Sequence, residues 1–466
     1  MTALDPRLRL AILGGRITGL ASRRLRMGGG TTLPGDVARA LDPQVLRKLG
    51  AGPRQGTVLV TGTNGKTTTS ALLREIAVAA GWQVGGNPSG SNLIYGLTAA
   101  ALAHADLGGR MALDWLVLEV DELSALAAVR ELEPRLLVVL NAFRDQLDRS
   151  FEVDQVAARL GTAVAALPET SVAILNADDP RIAALKGSAR LTRFGIDDPE
   201  LDRGGLPESA DRPVCAACGR PVHFSAVYYG QCGEYRCPDC GWARPAPEVR
   251  VTSARTDGLD HSELNLKGYG GGIGPVRVPL AGAHNAANVA AAAAAALAMG
   301  ATWDQVRAGL ERFQPAFGRS QVVLWGRAQV RLLLAKNPAG MQASLESVLS
   351  GDAGPVLGLA LNDGIADGTD VSWIWDVEFE RLAAGGPRWV VSSGRRAHEL
   401  ALRLRYAGVD ASRIVVRPTP EAALAALGER AAPGTPAPAL LTYTAMLAWH
   451  RAVVAAGGAA PFWEGG

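Results

Sequence analysis

Short apolar runs alternate with helical patterns from residue 57 to about residue 195. Apolar runs of strand length lie at 57–60, 115–120, 136–140 and 171–175, and each is followed by apolar residues at helical spacing. Strands that alternate with helices form parallel sheets that are covered by helices on both faces. The pattern therefore predicts an α/β fold with a large, parallel-rich sheet.

The alternation is interrupted at about residue 197 and resumes later in the chain. Residues 197–250 are rich in Pro, Gly and Asp, and the sheet pattern returns at about residue 251. A flexible connection is predicted at 268–274, a helix-rich segment at 284–313, and further strands near 330–334, 355–361, 389–393 and 439–441. We therefore expect a helical arm (1–50, with a helix at 36–49), a central unit (51–317, with an insertion at about 205–248) and a smaller Rossmann-like α/β unit (318–466).

The first part of the arm is basic and apolar. Its arginines alternate with Leu and Ile, and they are Arg7, Arg9, Arg16, Arg23, Arg24 and Arg26. The simpler interpretation is an amphipathic helix with a solvated basic face. The alternative is a surface that attracts anionic lipid headgroups or a lipid-linked phosphate.

Composition narrows the class of protein. A chain of 466 residues with 48% hydrophobic and 20% charged residues is expected to be globular and to have more than one core. A formal net charge of +2 carries no nucleic-acid signature. Neither a membrane span nor a secretion signal is recognisable, so we expect a cytoplasmic protein, with the inner membrane face as a further site of residence.

The strongest chemical signal follows the first predicted strand. Residues 61–69 carry two glycines, a lysine and several hydroxyls immediately before a helical pattern. Such a turn binds polyphosphate: the backbone N–H groups face the phosphates, Lys66 reaches the terminal ones, and Thr67 can ligate Mg²⁺. The match to the general P-loop lacks one glycine, because Val60 lies where that glycine is usual.

Four of the five cysteines form two Cys-x-x-Cys pairs. Cys215 and Cys218 precede Gly219, while Cys237 and Cys240 precede Gly241. This spacing predicts four thiolates around Zn²⁺ in a ribbon, and four protein ligands leave no open position for catalysis. The fifth cysteine, Cys232, is expected to remain unliganded.

Several motifs occur in the same order as in the Mur ligase superfamily, which forms amide bonds with ATP, and the chain resembles this family. The segment 61–68 is similar to its ATP loop, in which Thr63, Asn64, Gly65, Lys66, Thr67 and Thr68 would bind the nucleotide. By the same resemblance Glu119 holds Mg²⁺, Asn285 and Asn288 lie by the adenine, and Arg319 is the hinge arginine. Residues 141–148 resemble a further family segment, with Gln146 in the place of its histidine, and residues 176–180 resemble another that we expect to form a turn.

The last unit departs from this pattern. Mur ligases carry an Asp-Tyr-Ala-His-Asn-Pro segment, but here residues 333–338 read Leu-Leu-Ala-Lys-Asn-Pro, with Lys336 in the histidine position. This departure, the cysteine pairs and residues 370–376 together resemble the MurT family. That family supplies the ligase-like subunit of lipid II isoglutaminyl synthase.

The resemblance implies ATP-dependent amidation of a D-glutamate α-carboxylate in lipid II through an acyl phosphate. It makes Lys66 and Glu119 catalytic and calls for a glutaminase subunit like GatD as the ammonia source. An aspartate of this chain would complete the partner's catalytic triad: Asp370 is our choice among Asp363, Asp367, Asp370 and Asp376. The resemblance leaves open whether Lys186, Lys267 or no lysine is carbamylated to assist a second Mg²⁺.

Two other classes of protein function remain as alternatives. One is a Mur-type or folylpolyglutamate-type ligase that adds an amino acid, and the other is a non-enzymatic ATP-binding zinc-ribbon module.

Overall fold

The computed structural model describes residues 5–24, 32–87, 90–144, 153–207, 210–315, 319–351 and 354–459. The helices of the first two thirds are α1 Pro6–Arg24, α2 Leu33–Leu41, α3 Val45–Gly50, α4 Lys66–Ala79, α5 Ile94–His104, α6 Ala125–Leu132, α7 Val153–Ala165, α8 Pro180–Ala183, α9 Ala283–Met299 and α10 Trp303–Arg312. The strands are β1 Gly56–Thr61, β2 Val84–Gly86, β3 Trp115–Glu119, β4 Leu136–Val139, β5 Val172–Asn176, β6 Arg190–Ile196, β7 His223–Tyr229, β8 Cys232–Arg236, β9 Val249–Asp257, β10 His261–Gly268 and β11 Gly271–Val278.

The last third, after residue 318, has its own set of elements. Its strands are β12 Arg319–Trp325, β13 Ala328–Leu334, β14 Val356–Ala360, β15 Trp389–Ser393, β16 Ile414–Val416 and β17 Ala437–Leu441. Its helices are α11 Pro338–Ser350, α12 Glu380–Ala384, α13 Ala397–Tyr406, α14 Pro420–Gly428 and α15 Tyr443–Ala455. Short 3₁₀ helices lie at Pro199–Leu201, Ser372–Asp376 and Ala411–Arg413.

Within the described residues the first large sheet has nine strands in the order β11-β10-β9-β6-β5-β4-β1-β3-β2. The strands from β2 to β9 in this order pair in parallel, and the β9-β10-β11 end is antiparallel. Strand β1 lies between β3 and β4, with Val58 opposite both Val117 and Leu136. One face packs on α4, α9 and α10, and the other packs on α1–α3 and α5–α7. The predicted α/β fold with a parallel-rich sheet is confirmed.

The N-terminal helices belong to this core. Leu8 and Ile12 of α1 and Leu46 of α3 are buried in the same cluster as Leu97 of α5. The single helix predicted at 36–49 is wrong, because α2 ends at Leu41 and α3 begins at Val45. The chain is extended at Asp42, and the proline that follows has no N–H with which to continue a helix.

The flexible connection predicted at 268–274 is also wrong, because most of it is strand. β10 and β11 form a tight hairpin in which Gly268 pairs with Gly271. Tyr269 and Gly270, at the turn, both have positive φ, +46° and +74°. Two residues in the left-handed region are typical of a two-residue hairpin turn, which the density of glycines had concealed.

The second sheet has six strands among the described residues, in the order β12-β13-β17-β14-β15-β16. All neighbours pair in parallel except β12 and β13, which form an antiparallel hairpin. Helices α11–α13 cover one face and α14 and α15 cover the other. The predicted smaller Rossmann-like unit is confirmed. No helix of the described ranges is long and apolar enough to cross a membrane.

Candidate functional site

The loop between β1 and α4 has the shape of a phosphate-binding loop. Gly62 and Gly65 have φ of +125° and +90°, and Lys66 is the first residue of α4. A Cβ atom on Gly65 would lie 2.2 Å from Asn288 Oδ1, so a larger residue there would have to displace the Asn288 side chain. The buried Lys66 ammonium donates to the carbonyls of Gly62 at 2.6 Å and Thr63 at 3.2 Å, which curls the loop around it.

The segment that follows β4 fixes the shape of this loop. Asn141 Oδ1 accepts from the Asn64 N–H at 2.9 Å, and Asn141 Nδ2 donates to the Asn64 carbonyl at 3.0 Å. Thr63 and Phe143 exchange a similar pair of bonds at 3.1 and 3.2 Å. Asn141 is therefore a clamp on the loop. Residues 145–148 of the motif, including Gln146, lie outside the described residues.

Thr67 and Glu119 meet at the mouth of the loop. Thr67 Oγ1 donates to Glu119 Oε2 at 2.8 Å, and Asn92 Nδ2 donates to Glu119 Oε1 at 3.2 Å. The backbone of Glu119 is held on both sides by the Asn87 side chain at 2.9 Å. A hydroxyl and a carboxylate in contact at the start of a helix supply the hard oxygen ligands that Mg²⁺ prefers.

Lys66 has an acidic partner that the sequence motifs do not indicate. Glu122 Oε2 lies 3.2 Å from Lys66 Nζ, and both side chains are buried. Burial, together with the neighbouring Glu122 charge, raises the pKa of the Asp121 carboxyl, while Lys66 and Lys336 oppose the shift. A run of three acidic positions, Glu119, Asp121 and Glu122, directly after an apolar strand was the signal that could have revealed this site.

A cavity of about 180 Å³ connects the loop with the second sheet. Its lining includes all six predicted loop residues from Thr63 to Thr68, along with Glu119 and the α9 residues Asn285 and Asn288. Asn288 Nδ2 donates to Asn285 Oδ1 at 3.1 Å. The backbone of Arg319 begins β12, and its side chain lies outside the described part of the structure. Asp370 does not line this cavity.

The opposite wall comes from the start of α11. Lys336 lines the cavity, and Asn337, fully buried, caps α11 by accepting from the Gly340 N–H at 2.8 Å. Asn337 Nδ2 also donates to Asn64 Oδ1 at 3.1 Å, which ties the second unit to the phosphate-binding loop. The altered segment 333–338 therefore faces the phosphate-binding loop across the cavity.

The cysteine pairs form a compact cluster beside the first sheet. The sulfur atoms of Cys215, Cys218, Cys237 and Cys240 all lie within 4.8 Å of one another. Gly219 and Gly241 turn the two knuckles with φ of +73° and +78°, and β7 and β8 form the antiparallel hairpin of a ribbon. Four thiols at this separation suit a tetrahedral zinc ion. Cys232 is fully buried in the hairpin and is not part of the cluster.

The tip of this ribbon, residues 229–231, reaches the cavity beside the phosphate-binding loop. Tyr229 and Gly230 line the cavity, and Gln231 Nε2 donates to the Ala142 carbonyl at 2.7 Å. A Cβ atom on Gly230 would lie 2.7 Å from Phe143 Cε1, so the tip packs closely against the clamp segment. The base of the ribbon is held by a buried ion pair, Arg244 with Asp178, at 2.6 Å. The tip of the ribbon thus supports the phosphate-binding loop through the segment 142–143.

The four candidate aspartates differ in their surroundings. Asp363 pairs with Arg395 and Arg396 at 3.3 and 2.8 Å. Asp367 is buried and accepts hydrogen bonds from Thr444, and Asp376 lies 3.0 Å from Arg144. Asp370 is half-buried and accepts from the Ser372 N–H at 2.8 Å, a bond that leaves carboxylate capacity for another group.

Comparisons with known proteins agree with this geometry. Residues 60–212 match the Mur ligase middle domain profile, and residues 334–446 match the MurT ligase C-terminal profile. The chain is 34% identical over 391 residues to the lipid II isoglutaminyl synthase (glutamine-hydrolyzing) subunit MurT of Staphylococcus aureus strain N315, covering 83% of this chain and 85% of that protein. It is 32% identical to the same subunit of Streptococcus pneumoniae strain R6 over 446 residues, covering 95% and 96%.

Solved structures show the same fold at low sequence identity. A pseudomurein peptide ligase type C from Methanothermus fervidus superposes with a TM-score of 0.68 at 19% identity, covering 88% of this chain and 80% of that one. The folylpolyglutamate synthase of Mycobacterium tuberculosis complexed with ADP gives 0.59 at 16% identity, covering 98% and 96%. Fold, profiles and full-length relatives agree, and the chain belongs to the MurT family of Mur-type ligases.

Proposed function

We propose that the chain is the synthetase subunit of an amidating complex. Its substrate would be the α-carboxylate of D-glutamate in the lipid II stem peptide, and its product D-isoglutamine. The observation that carries the proposal is the juxtaposition of a phosphate-binding loop, bearing Lys66 and the Thr67–Glu119 pair, with Lys336 across one cavity. The names of the relatives of similar length support the same substrate.

ATP and Mg²⁺ fit the residues present. Gly62 and Gly65 let the loop take left-handed backbone conformations close to Asn141 and Asn288, and the first residues of α4 line the cavity. Thr67 and Glu119 would hold Mg²⁺, which offsets negative charge on the phosphates when bound. Lys66 would move from the Gly62 and Thr63 carbonyls to the terminal phosphates, and Asn285 and Asn288 would lie along the nucleoside.

The chemistry requires a carboxylate to become an electrophile. A carboxylate oxygen attacks the γ-phosphorus of ATP, the bond to the β-phosphate oxygen breaks, and ADP leaves with the electron pair. Ammonia then attacks the carbonyl carbon of the acyl phosphate, the C–O bond to phosphate breaks, and the surplus proton on nitrogen passes to the phosphate. Lys66 and the metal ligands would stabilise charge on the transferred phosphoryl group in the first step.

Lys336 favours ammonia over an amino acid as the nucleophile. Amino-acid-adding Mur ligases have a histidine at this position and an aspartate three residues earlier, and both are absent here. A cation at this point of the cavity wall can hold the reacting carboxylate or the acyl phosphate.

The direct test uses the purified chain with lipid II, ATP, Mg²⁺ and ammonium. We expect the stem peptide to gain one carboxamide, and we expect Lys66→Ala to abolish the product. If amino acids replace ammonium in the assay and one of them is joined to the stem peptide, the alternative, a Mur-type or folylpolyglutamate-type ligase, would be established. Absence of any product from folded wild-type chain would contradict both.

For ammonia we propose a glutaminase subunit that docks at the loop around Asp370. This loop also exposes Ile365 and Trp375, and Trp375 packs edge-on against the exposed Tyr406. Exposed aromatic side chains are typical anchors of protein interfaces. Asp370, with its remaining acceptor capacity, would orient the partner's catalytic histidine.

The partner role is separable from the synthetase role. With the glutaminase subunit present, Asp370→Asn should lose glutamine-dependent amidation and keep ammonium-dependent amidation. The matched variant Asp363→Asn, whose carboxylate is neutralised by two arginines, should keep both activities. Equal loss in both variants, or loss of the ammonium reaction with Asp370→Asn, would refute the assignment.

We further propose that the cysteine cluster holds a structural zinc ion. The four thiol sulfurs are close enough to share one ion, and they leave it no free coordination position.

A further inference from the structure

Helix α1 exposes apolar side chains along the face that points away from the core. Leu10, Leu13, Ile17 and Leu20 have exposed fractions of 59%, 41%, 64% and 57%. Their spacing of three and four residues places them on one side of the helix, and we call them the outer stripe. Four large aliphatic side chains in one row exceed the scattered apolar exposure that is normal on a protein surface.

The outer stripe is not needed to hold α1 in place. The opposite face of the helix carries Leu8, Ala11 and Ile12, which are buried against the first sheet's helices. On that side Gly15 approaches the Pro34 carbonyl so closely that a Cβ atom would lie 3.0 Å from it. The helix is therefore apolar on both sides, and only one side is used for packing within this chain. The exposed side carries arginines, as in the simpler interpretation, and in addition the aliphatic side chains of the outer stripe.

Arginines border the outer stripe. The helix sequence contains five arginines and no acidic residue. Arg7 and Arg9 are exposed at the N-terminal end, and Arg16 is exposed further along while donating to the Ala105 carbonyl. Leu41 of α2, itself 43% exposed, lies beside Gly14 and widens the apolar surface.

We propose that the outer stripe of α1 binds the surface of an anionic lipid bilayer. An aliphatic row flanked by arginines, with no acidic residue, is the pattern of a helix that lies in the membrane interface. The aliphatic side chains would enter the acyl boundary, and the guanidinium groups would remain among the phosphate headgroups. A protein partner would have to be both apolar and acidic along one narrow row, whereas an anionic bilayer supplies both properties everywhere.

Such docking would bring the candidate site close to a lipid-linked substrate, a consequence that rests on the proposed function. Helix α1 packs against α5, which begins at Ile94. Asn92, two residues before α5, donates to Glu119 at the metal-binding end of the site. The outer stripe is thus separated from the site by the layer of helices that includes α5.

The test measures co-sedimentation of the full chain with vesicles, without ATP or lipid II. We expect binding to vesicles of phosphatidylglycerol and phosphatidylcholine, weaker binding to pure phosphatidylcholine, and weakening by salt. The triple variant Leu13→Gln, Ile17→Gln, Leu20→Gln should bind at least about tenfold more weakly. The matched control substitutes glutamine at Val322, Leu324 and Leu402, which are exposed elsewhere, and should bind like wild type.

Other binding partners of the outer stripe would give different results. The proposal would be overturned if the triple variant bound vesicles like wild type. It would also be overturned if wild type formed a dimer in light scattering, or a complex with a glutaminase subunit, that the triple variant alone does not form. The substituted side chains point outward, so the thermal midpoint should stay close to that of wild type. If amidation fails while vesicle binding follows these expectations, the proposed function falls and this inference stands.

Discussion

Thr67 Oγ1 donates a hydrogen bond to Glu119 Oε2 across 2.8 Å, joining the first turn of α4 to the end of β3. Asn87 and Asn92 hold Glu119 from the other side. A Mg²⁺ ion would therefore meet ligands that need little rearrangement.

The first prediction concerns the charge of this pair. Glu119→Gln keeps the size of the side chain but removes the negative charge that would bind Mg²⁺. We expect ammonium-dependent amidation to fall by about 10²-fold or more with the fold intact. The matched variant Glu169→Gln, on the exposed surface, should retain full activity. If Glu119→Gln had the wild-type rate at saturating Mg²⁺, Glu119 would not be a ligand of the metal.

Gly65 supplies a second prediction, on nucleotide binding. Gly65→Ala adds both left-handed strain and a clash with Asn288, whereas Gly81→Ala, at φ +80°, adds strain with no atom within 4 Å. Each change should lower stability by about 1–2 kcal/mol from backbone strain. Titration calorimetry should show ATP affinity at least about tenfold weaker only for Gly65→Ala. Equal affinities in the two variants would show that Asn288 does not shape the loop.

The ribbon supports the loop, so the cluster should matter for nucleotide binding. We expect about one zinc ion per chain by elemental analysis. Cys237→Ser should lose the zinc and weaken ATP binding, because Gly230 and Gln231 no longer brace the segment 142–143. Cys232→Ala, outside the cluster, should keep the zinc. A zinc-free variant that binds ATP like wild type would mean that the ribbon tip holds its place without the metal.

Asp178 gives a pH-dependent prediction. Burial raises the pKa of its carboxyl from 3.8 to about 6, although Arg244 opposes the shift. The folded chain then holds a proton that the unfolded chain releases near pH 4. The contribution of this group to the free energy of unfolding therefore falls as the pH rises from about 4 to about 6.

Removal of Arg244 should enlarge this effect. Arg244→Met should cost about 3–5 kcal/mol of unfolding free energy at pH 8, where it leaves a buried carboxylate unpaired, and less at pH 5, where Asp178 takes up a proton. Denaturant unfolding at the two pH values measures the difference. Arg250→Met breaks an exposed pair with Asp197 and should cost little at either pH. An equal loss at both pH values for Arg244→Met would contradict the role of Asp178.

Local signals in the sequence predicted the chemistry of the site. The glycines and lysine at 62–66 and the Cys-x-x-Cys pairs are each contiguous, so their spacing alone indicates the geometry. The Lys66–Glu122 pair and the contact of Gly230 with Phe143 join residues that are distant in sequence, and no periodicity indicates them.

Three other features were hidden, each for its own physical reason. Helix α1 is apolar on both sides, so its pattern does not tell which side packs on the core. Strands β2 and β16 have three residues each, too short to show a period. The hairpin tip at Tyr269 required the backbone itself, since positive φ at a tyrosine is not predicted from composition.

Whether ATP activates a carboxylate for attack by ammonia is decided by isotope transfer. Lipid II labelled with ¹⁸O in the D-glutamate α-carboxylate is incubated with the chain, ATP, Mg²⁺ and ammonium, and the released phosphate is analysed by mass spectrometry. We expect one ¹⁸O atom in the phosphate for each carboxamide formed. Amidated product accompanied by unlabelled phosphate would contradict this expectation.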